Sequence, residues 1–169
     1  MTGSQGSIVD AWDADDWATN SGSYFLNGWI YTPDENVTGY VTEQTTVGDT
    51  GLFNRQDNIT HPALTPVFTD GVWEDGWPNG GTANAAGDAS PTDLYDGSVS
   101  GNPGDMMWRI CIARHGINPQ NAPKNASTTA PYPGQVNIAL ADGHVEVAKL
   151  DNLWAVYYWH ALSLPAKRP

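Results

Sequence analysis

Basic residues are scarce in this chain. Seven lysines and arginines stand against 19 carboxylates, the formal net charge is −12, and the first basic residue is Arg55. A phosphate backbone is held by clustered Lys and Arg, so the composition argues against a nucleic-acid partner. Cysteine is nearly absent. Cys111 alone cannot close an internal disulfide, and it sits in an apolar run, residues 108–113, where a buried thiol is the ordinary reading. His115, four residues on, would share its face in a strand but lie roughly 13 Å away, too far to activate it. No apolar stretch reaches the roughly 18 residues that a membrane-spanning helix needs, and residues 1–7 read as a flexible leader rather than a secretory signal.

Charged residues make up only 15% of the 169, while 18 glycines and 12 prolines make turns and loops frequent. The length suits one domain with a core. Eight tryptophans and seven tyrosines supply large buried areas to a loop-rich fold. The expected division is a flexible acidic leader over 1–19 and a globular domain over 20–169.

The most legible stretch is 135–154. Val136, Ile138 and Leu140 alternate with small or polar residues, the period of a half-buried strand. Asp142-Gly143 then reads as a two-residue turn, with Gly143 taking the positive φ. That register sets Leu140 against Val145 and Ile138 against Val147 on the core face, with His144 and Glu146 on the other. Asp151 is a helix cap, and Leu153, Trp154, Tyr157 and Tyr158 have the spacing of a helix over 151–160, which Pro165 follows. Further strands are expected over 21–32, broken or bulged at Gly28, over 65–72, over 106–114 in the hairpin's sheet, and briefly over 40–42. Residues 79–105 and 116–133 read as long surface loops. The fold class that results is α+β, an antiparallel sheet with a C-terminal hairpin and a short helix.

Chemistry is sparsely marked. Asp13-x-Asp15 has the start of a calcium loop, but no glycine follows at loop position 6 and position 12 is Tyr24, so it is no EF-hand. An irregular calcium site drawn from Asp10, Asp13, Asp15, Asp16, Asp70 and Asp75 is the candidate cofactor site, since this ion takes oxygen ligands. The histidines, His61, His115, His144 and His160, form no metal-binding spacing. There is no nucleophile elbow, phosphate loop or dinucleotide fingerprint. Asn36, Asn58 and Asn125 head glycosylation triplets. Carboxylates are numerous enough to leave a glycosidase pair open, but nothing marks two of them out.

Taken together, Cys111-Ile-Ala-Arg-His115-Gly116, Val136-Asn-Ile-Ala-Leu-Ala-Asp142-Gly143-His144-Val145, Asn152-Leu-Trp154 and the terminal Pro165-Ala-Lys-Arg-Pro169 carry a resemblance. So do Gly22-Ser-Tyr24, Asn27-Gly-Trp29 and the stretch 65–78. The chain resembles, over roughly 20–169, the bacterial prepilin-like proteins whose distal domain is named for a His, nine residues, Asp-Gly motif. It departs from them in an insertion over 118–133 that separates His115 from Asp142, and in showing neither a prepilin leader nor a long hydrophobic helix. In that family the helix anchors the subunit in the membrane and packs in the filament core, while the head lies outside the cytoplasm.

The resemblance therefore implies a non-catalytic structural or adaptor head domain of a type II secretion or type IV filament-related system. Its partners would be other pilin or pseudopilin subunits or envelope proteins, and its location extracytoplasmic. His115, Gly116, Asn137, Asp142, Gly143, His144 and Trp154 become architectural, with His115 bonding the Asp142-Gly143 loop. The competing reading is an extracellular carbohydrate-binding module, which needs Trp12, Trp17, Trp73 and Trp77 exposed along one groove. A hydrolase using a carboxylate pair is the third.

Overall fold

The computed structural model describes residues 3–13, 21–31, 48–81, 88–97 and 106–169. Among these, the chain is α+β and mostly sheet. A two-stranded ribbon pairs β1 (Trp12–Asp13) with β2 (Ser21–Gly22). The main sheet is formed by β3 (Tyr24–Asn27), β4 (Pro66–Asp70), β5 (Asp75–Gly76), β6 (Gln135–Leu140) and β7 (Val145–Lys149), in the order β5-β3-β4-β6-β7. All neighbours are antiparallel except β3 and β5. The expected strand over 21–32 ends at Gly28, where Asn27 accepts a bond from Trp29 N at 3.2 Å and caps a 3₁₀ turn. The expected strand at 40–42 lies outside the described residues.

The hairpin of β6 and β7 stands where the alternation placed it, but in a different register. Leu140 N donates to His144 O and Gly143 N to Leu140 O, both at 2.9 Å. The loop therefore has three residues, a turn over Ala141-Asp142 followed by Gly143 at φ +96° in a bulge. Ala139 now faces Val145, and Ile138 faces Glu146. Because side chains alternate, this slip of one residue reverses the face of the whole second strand. Val145 and Val147 are 65% and 57% exposed, whereas Glu146 is half-buried and Ala148 is in the core. The expectation of inward valines is thus overturned. Glu146 turns instead to Tyr157, whose hydroxyl donates to its carboxylate at 2.6 Å; burial and that carboxylate push the phenol pKa upward.

Residues 106–114 form no strand of the sheet. Met106, Met107, Ile110, Cys111, Ile112 and Ala113 are all buried, with no exposed alternate face. After a 3₁₀ turn (Met107–Arg109), this segment bonds locally and to Leu94 O and Val72 N. A run buried on every side satisfies its backbone by whatever neighbours surround it. It meets the sheet through Arg109, whose Nη1 donates to Asp75 O of β5 at 2.6 Å, and just past its end, where His115 bridges Gln135.

The expected helix over 151–160 is one turn, α1 (Asn152–Ala155). Asp151 does not cap it. Its carboxylate accepts from Arg168 Nε at 2.7 Å and from Tyr132 N at 3.2 Å. Beyond α1 the backbone is claimed by other segments: Tyr158 N donates to Leu64 O, and Ala161 N to Gly51 O. Trp154 is fully buried, as expected, beside Trp29, Trp77 and Trp159 in one core.

The segment expected as a surface loop over 79–105 is, in its described parts, largely interior. Asp88 is fully buried, with its carboxylate accepting from Gly80 N at 2.7 Å and Met106 N at 2.8 Å. Trp154 Nε1 donates to Asp88 O at 2.9 Å. One carboxylate thereby replaces the ladder bonds that this glycine-rich stretch lacks.

Gly143 has no atom within 4 Å of where a Cβ would stand, so its requirement is backbone conformation alone. Gly143→Val should cost about 1–2 kcal/mol, the penalty of a branched residue at positive φ, while Gly143→Asn costs less; paired thermal melts measure both.

His160 is buried, with Nε2 donating to Asn79 O at 3.1 Å and Nδ1 accepting from Leu162 N at 3.2 Å. Burial pulls its pKa down to about 4 from 6.5. The unfolded chain takes up this proton first, so the stability that neutral His160 carries is complete above about pH 6.5 and is lost as the pH falls toward 4. The separation corresponds to roughly 3 kcal/mol. Denaturant titrations across this window should show that slope in the parent and a shallower one in His160→Gln.

Candidate functional site

The sheet has two unlike faces. Phe25, Thr69 and Ile138 form an inward row and are buried. The row on one side of it, Asp75, Leu26, Phe68, Ala139 and Val145, points the other way, as does the row on its other side, Tyr24, Asp70, Asn137 and Val147. On this outward face Tyr24, Phe68, Val145 and Val147 are 63%, 49%, 65% and 57% exposed. A bulge in β4 between Pro66 and Phe68 resets the pairing with β6 and aims Phe68 outward.

A polar cluster interrupts the apolar rows. Asp70 ends β4 with its side chain buried. Its Oδ2 accepts from Asn137 N at 2.6 Å and lies 3.0 Å from His115 Nε2. The Asn137 side-chain amide is 2.9 Å from the same nitrogen. One imidazole nitrogen has a single hydrogen or a single lone pair, so when Nε2–H donates to Asp70 the Asn137 amide, with its oxygen turned toward the ring, shares that one hydrogen. Arg114 supplies the opposing charge: its guanidinium donates to Ser7 O at 2.7 Å and Gly71 O at 3.1 Å. Burial lowers its pKa and Asp70 partly restores it. Gly116, at φ +79°, lets the chain turn back beside Gln135 directly after His115.

This arrangement orients an imidazole with a buried carboxylate, which is the supporting half of a base. Among the described residues no hydroxyl or thiol is hydrogen-bonded to His115. Cys111 is fully buried, and burial pushes its thiol pKa well up. The described geometry fastens the 114–116 segment to the sheet.

The residues singled out in the sequence divide between this cluster and other places. His115, Gly116 and Asn137 belong to it. Asp142, Gly143 and His144 form the hairpin loop at the other end of β6, where Asp142 Oδ1 accepts from His144 N at 3.2 Å and contacts His144 Nδ1 at 2.6 Å. The main-chain bond from His144 leads the causes that lower the Asp142 pKa. His115 therefore bonds Asp70 and not the Asp142 loop, which corrects that expectation: five residues of β6 separate the two ends, roughly 17 Å. Trp154 belongs to the core.

The carboxylates proposed for calcium are held separately. Asp10 accepts from Ser7 Oγ at 3.0 Å, and Asp75 accepts from Tyr31 and stands 3.8 Å from Arg109. Asp13 lies in β1, and Asp15 and Asp16 are outside the described residues. Among the described residues no three His, Cys, Asp or Glu side chains gather as a metal site. Of the tryptophans proposed for sugar, Trp77 is buried, Trp12 and Trp73 are half-buried, and Trp17 is not described.

The role of Asp70 as partner to His115 is not marked in the sequence, because residues 70, 115 and 137 meet only through sheet pairing. The available signal is a carboxylate ending an apolar strand, which requires a donor set somewhere. Comparison with protein-family models, with curated proteins and with solved structures finds no match for this chain. Among the described residues no helix is long and apolar enough to cross a membrane.

Removing Asp70 leaves Asn137 N–H and His115 without their shared acceptor and Arg114 without the neighbouring negative charge. Asp70→Ala should therefore cost about 1–3 kcal/mol, the penalty of a buried donor left unpaired, and Asp70→Asn less, because the amide oxygen still accepts from Asn137 N. Urea denaturation of the two variants measures the difference.

Proposed function

We propose that this chain is a non-catalytic structural or adaptor subunit, the head domain of a pseudopilin-like or pilin-like protein of a type II secretion or type IV filament-related system. The observation that carries this reading is the outward sheet face. Four large apolar side chains stand exposed on one side of a sheet, around a polar cluster whose hydrogen bonds are internal. Apolar surface of this kind marks interaction sites more often than chemistry. The motifs that resemble the prepilin-like family give the reading its direction, and under it the domain works outside the cytoplasm with filament or envelope subunits as partners. Hydrophobic cover for the sheet would come from such a partner.

The carbohydrate-binding alternative has less support, since Trp77 is committed to the core. A hydrolase would need a carboxylate pair flanking a cleft, and Asp10, Asp70 and Asp75 each serve a different partner.

A photo-crosslinking residue at position 147 of the full chain, in its native cells, tests the proposal. Crosslinks to filament or envelope subunits, reduced at least several-fold by the outward changes Phe68→Ser and Val145→Thr, are the expected result. Exclusively cytoplasmic recovery without crosslinks would contradict it.

A further inference from the structure

Resting on the reading of the outward sheet face as an interaction surface, we infer that its partner is a different chain, one that presents an apolar segment with a carboxylate at the end meeting Lys149. The carboxylates of this face are satisfied from within the chain, and its lysine is not. The whole chain carries −12, yet the two carboxylates within these rows are engaged: Asp70 is buried and held by Asn137 N–H and His115, and Asp75, the register partner of Leu26, accepts from Tyr31 and stands 3.8 Å from Arg109. Glu146, on the same strand, points to the other side and bonds Tyr157. Lys149 shares the pleat face of Val145 and Val147, is exposed, and has no hydrogen-bond or ion-pair partner among the described residues. Among the described residues the surface thus reads as an apolar stripe from Phe68 to Val147 with the unpaired Lys149 at its end.

A second copy fits this surface poorly. A two-fold interface sets a patch against itself, so Lys149 would need a carboxylate supplied by the same patch. The nearest acidic candidate on the hairpin, Asp142, is already held by the main chain and imidazole of His144. Two chains of −12 also repel each other outside the contact. A separate partner escapes both difficulties. Because Asp70 needs no further donor, the middle of that partner can be wholly apolar, and the carboxylate sets its orientation.

Two fluorescein-labelled peptides test this, both rich in Leu and Ala, one ending in a glutamate and the other with lysine in its place. Fluorescence anisotropy with the full chain at low salt should show the glutamate peptide binding about two- to fivefold more tightly, the range of an exposed ion pair. Lys149→Ala should abolish the preference, Lys149→Glu should reverse it, and high salt should shrink it. Val147→Asp should weaken both peptides, with Val147→Thr as a milder second variant and melts to verify folding. Equal binding of the two peptides, still sensitive to Val147→Asp, would overturn the charge inference and leave the interaction face standing. Binding of neither peptide, or binding indifferent to both Val147 variants, would overturn the face and the inference together. A dimer in sedimentation equilibrium that Val147→Asp dissolves would overturn the inference in favour of a second copy.

Discussion

The closure of one hairpin governs what this protein presents to its surroundings. Leu140 and His144 pair across three loop residues, and Gly143 supplies the positive φ that the third position requires. From that pairing the strand alternation follows without further choice. Val145, Val147 and Lys149 go outward, while Glu146 reaches Tyr157 and Ala148 enters the core. A two-residue loop would shift β7 by one residue, burying the valines and expelling Ala148. The apolar outward face, and every functional argument built on it, rests on this geometry.

Behind the sheet, regular structure is replaced by side chains that hold backbone. Asp88 takes the amides of Gly80 and Met106. Arg168 stacks on Tyr132 at 3.7 Å and donates to Thr128 O at 2.7 Å and Ala130 O at 2.6 Å. Asn27 donates to Pro66 O and Trp159 O at 2.8 and 2.9 Å. Each bonds segments distant in sequence, which is how a chain rich in glycine and proline satisfies buried polar groups without ladders. The large aromatic side chains fill the volume these clamps enclose, with Trp29, Trp77, Trp154 and Trp159 buried together.

Much of the sheet is legible in the sequence because a half-buried strand writes its period directly. The strands around Phe25, Phe68 and Ile138 all follow from alternation or short apolar runs. Register is less legible: Asp142-Gly143 signals a turn, but the same dipeptide closes a two-residue loop or ends a three-residue one. The run 106–114 misleads for a different reason, since a segment apolar apart from Arg109 and Arg114 has no alternating face to report and reads as a strand when it is irregular core. Tyr157 and Tyr158 have helical spacing, yet tertiary bonds to Leu64 and Gly51 end the helix after Ala155. At the candidate site His115 and Asn137 stand out locally, whereas their joining through Asp70 is a property of sheet topology.

Carbene footprinting of the isolated chain tests the outward face most directly, because labelling follows side-chain exposure in solution. The account predicts strong labelling at Tyr24, Phe68, Val145 and Val147, with Val136, Ile138 and Ala148 protected until the chain is unfolded. Protection of Val145 and Val147 together with labelling of Ala148 would contradict it, showing the hairpin closed in the other register and the apolar face turned into the core.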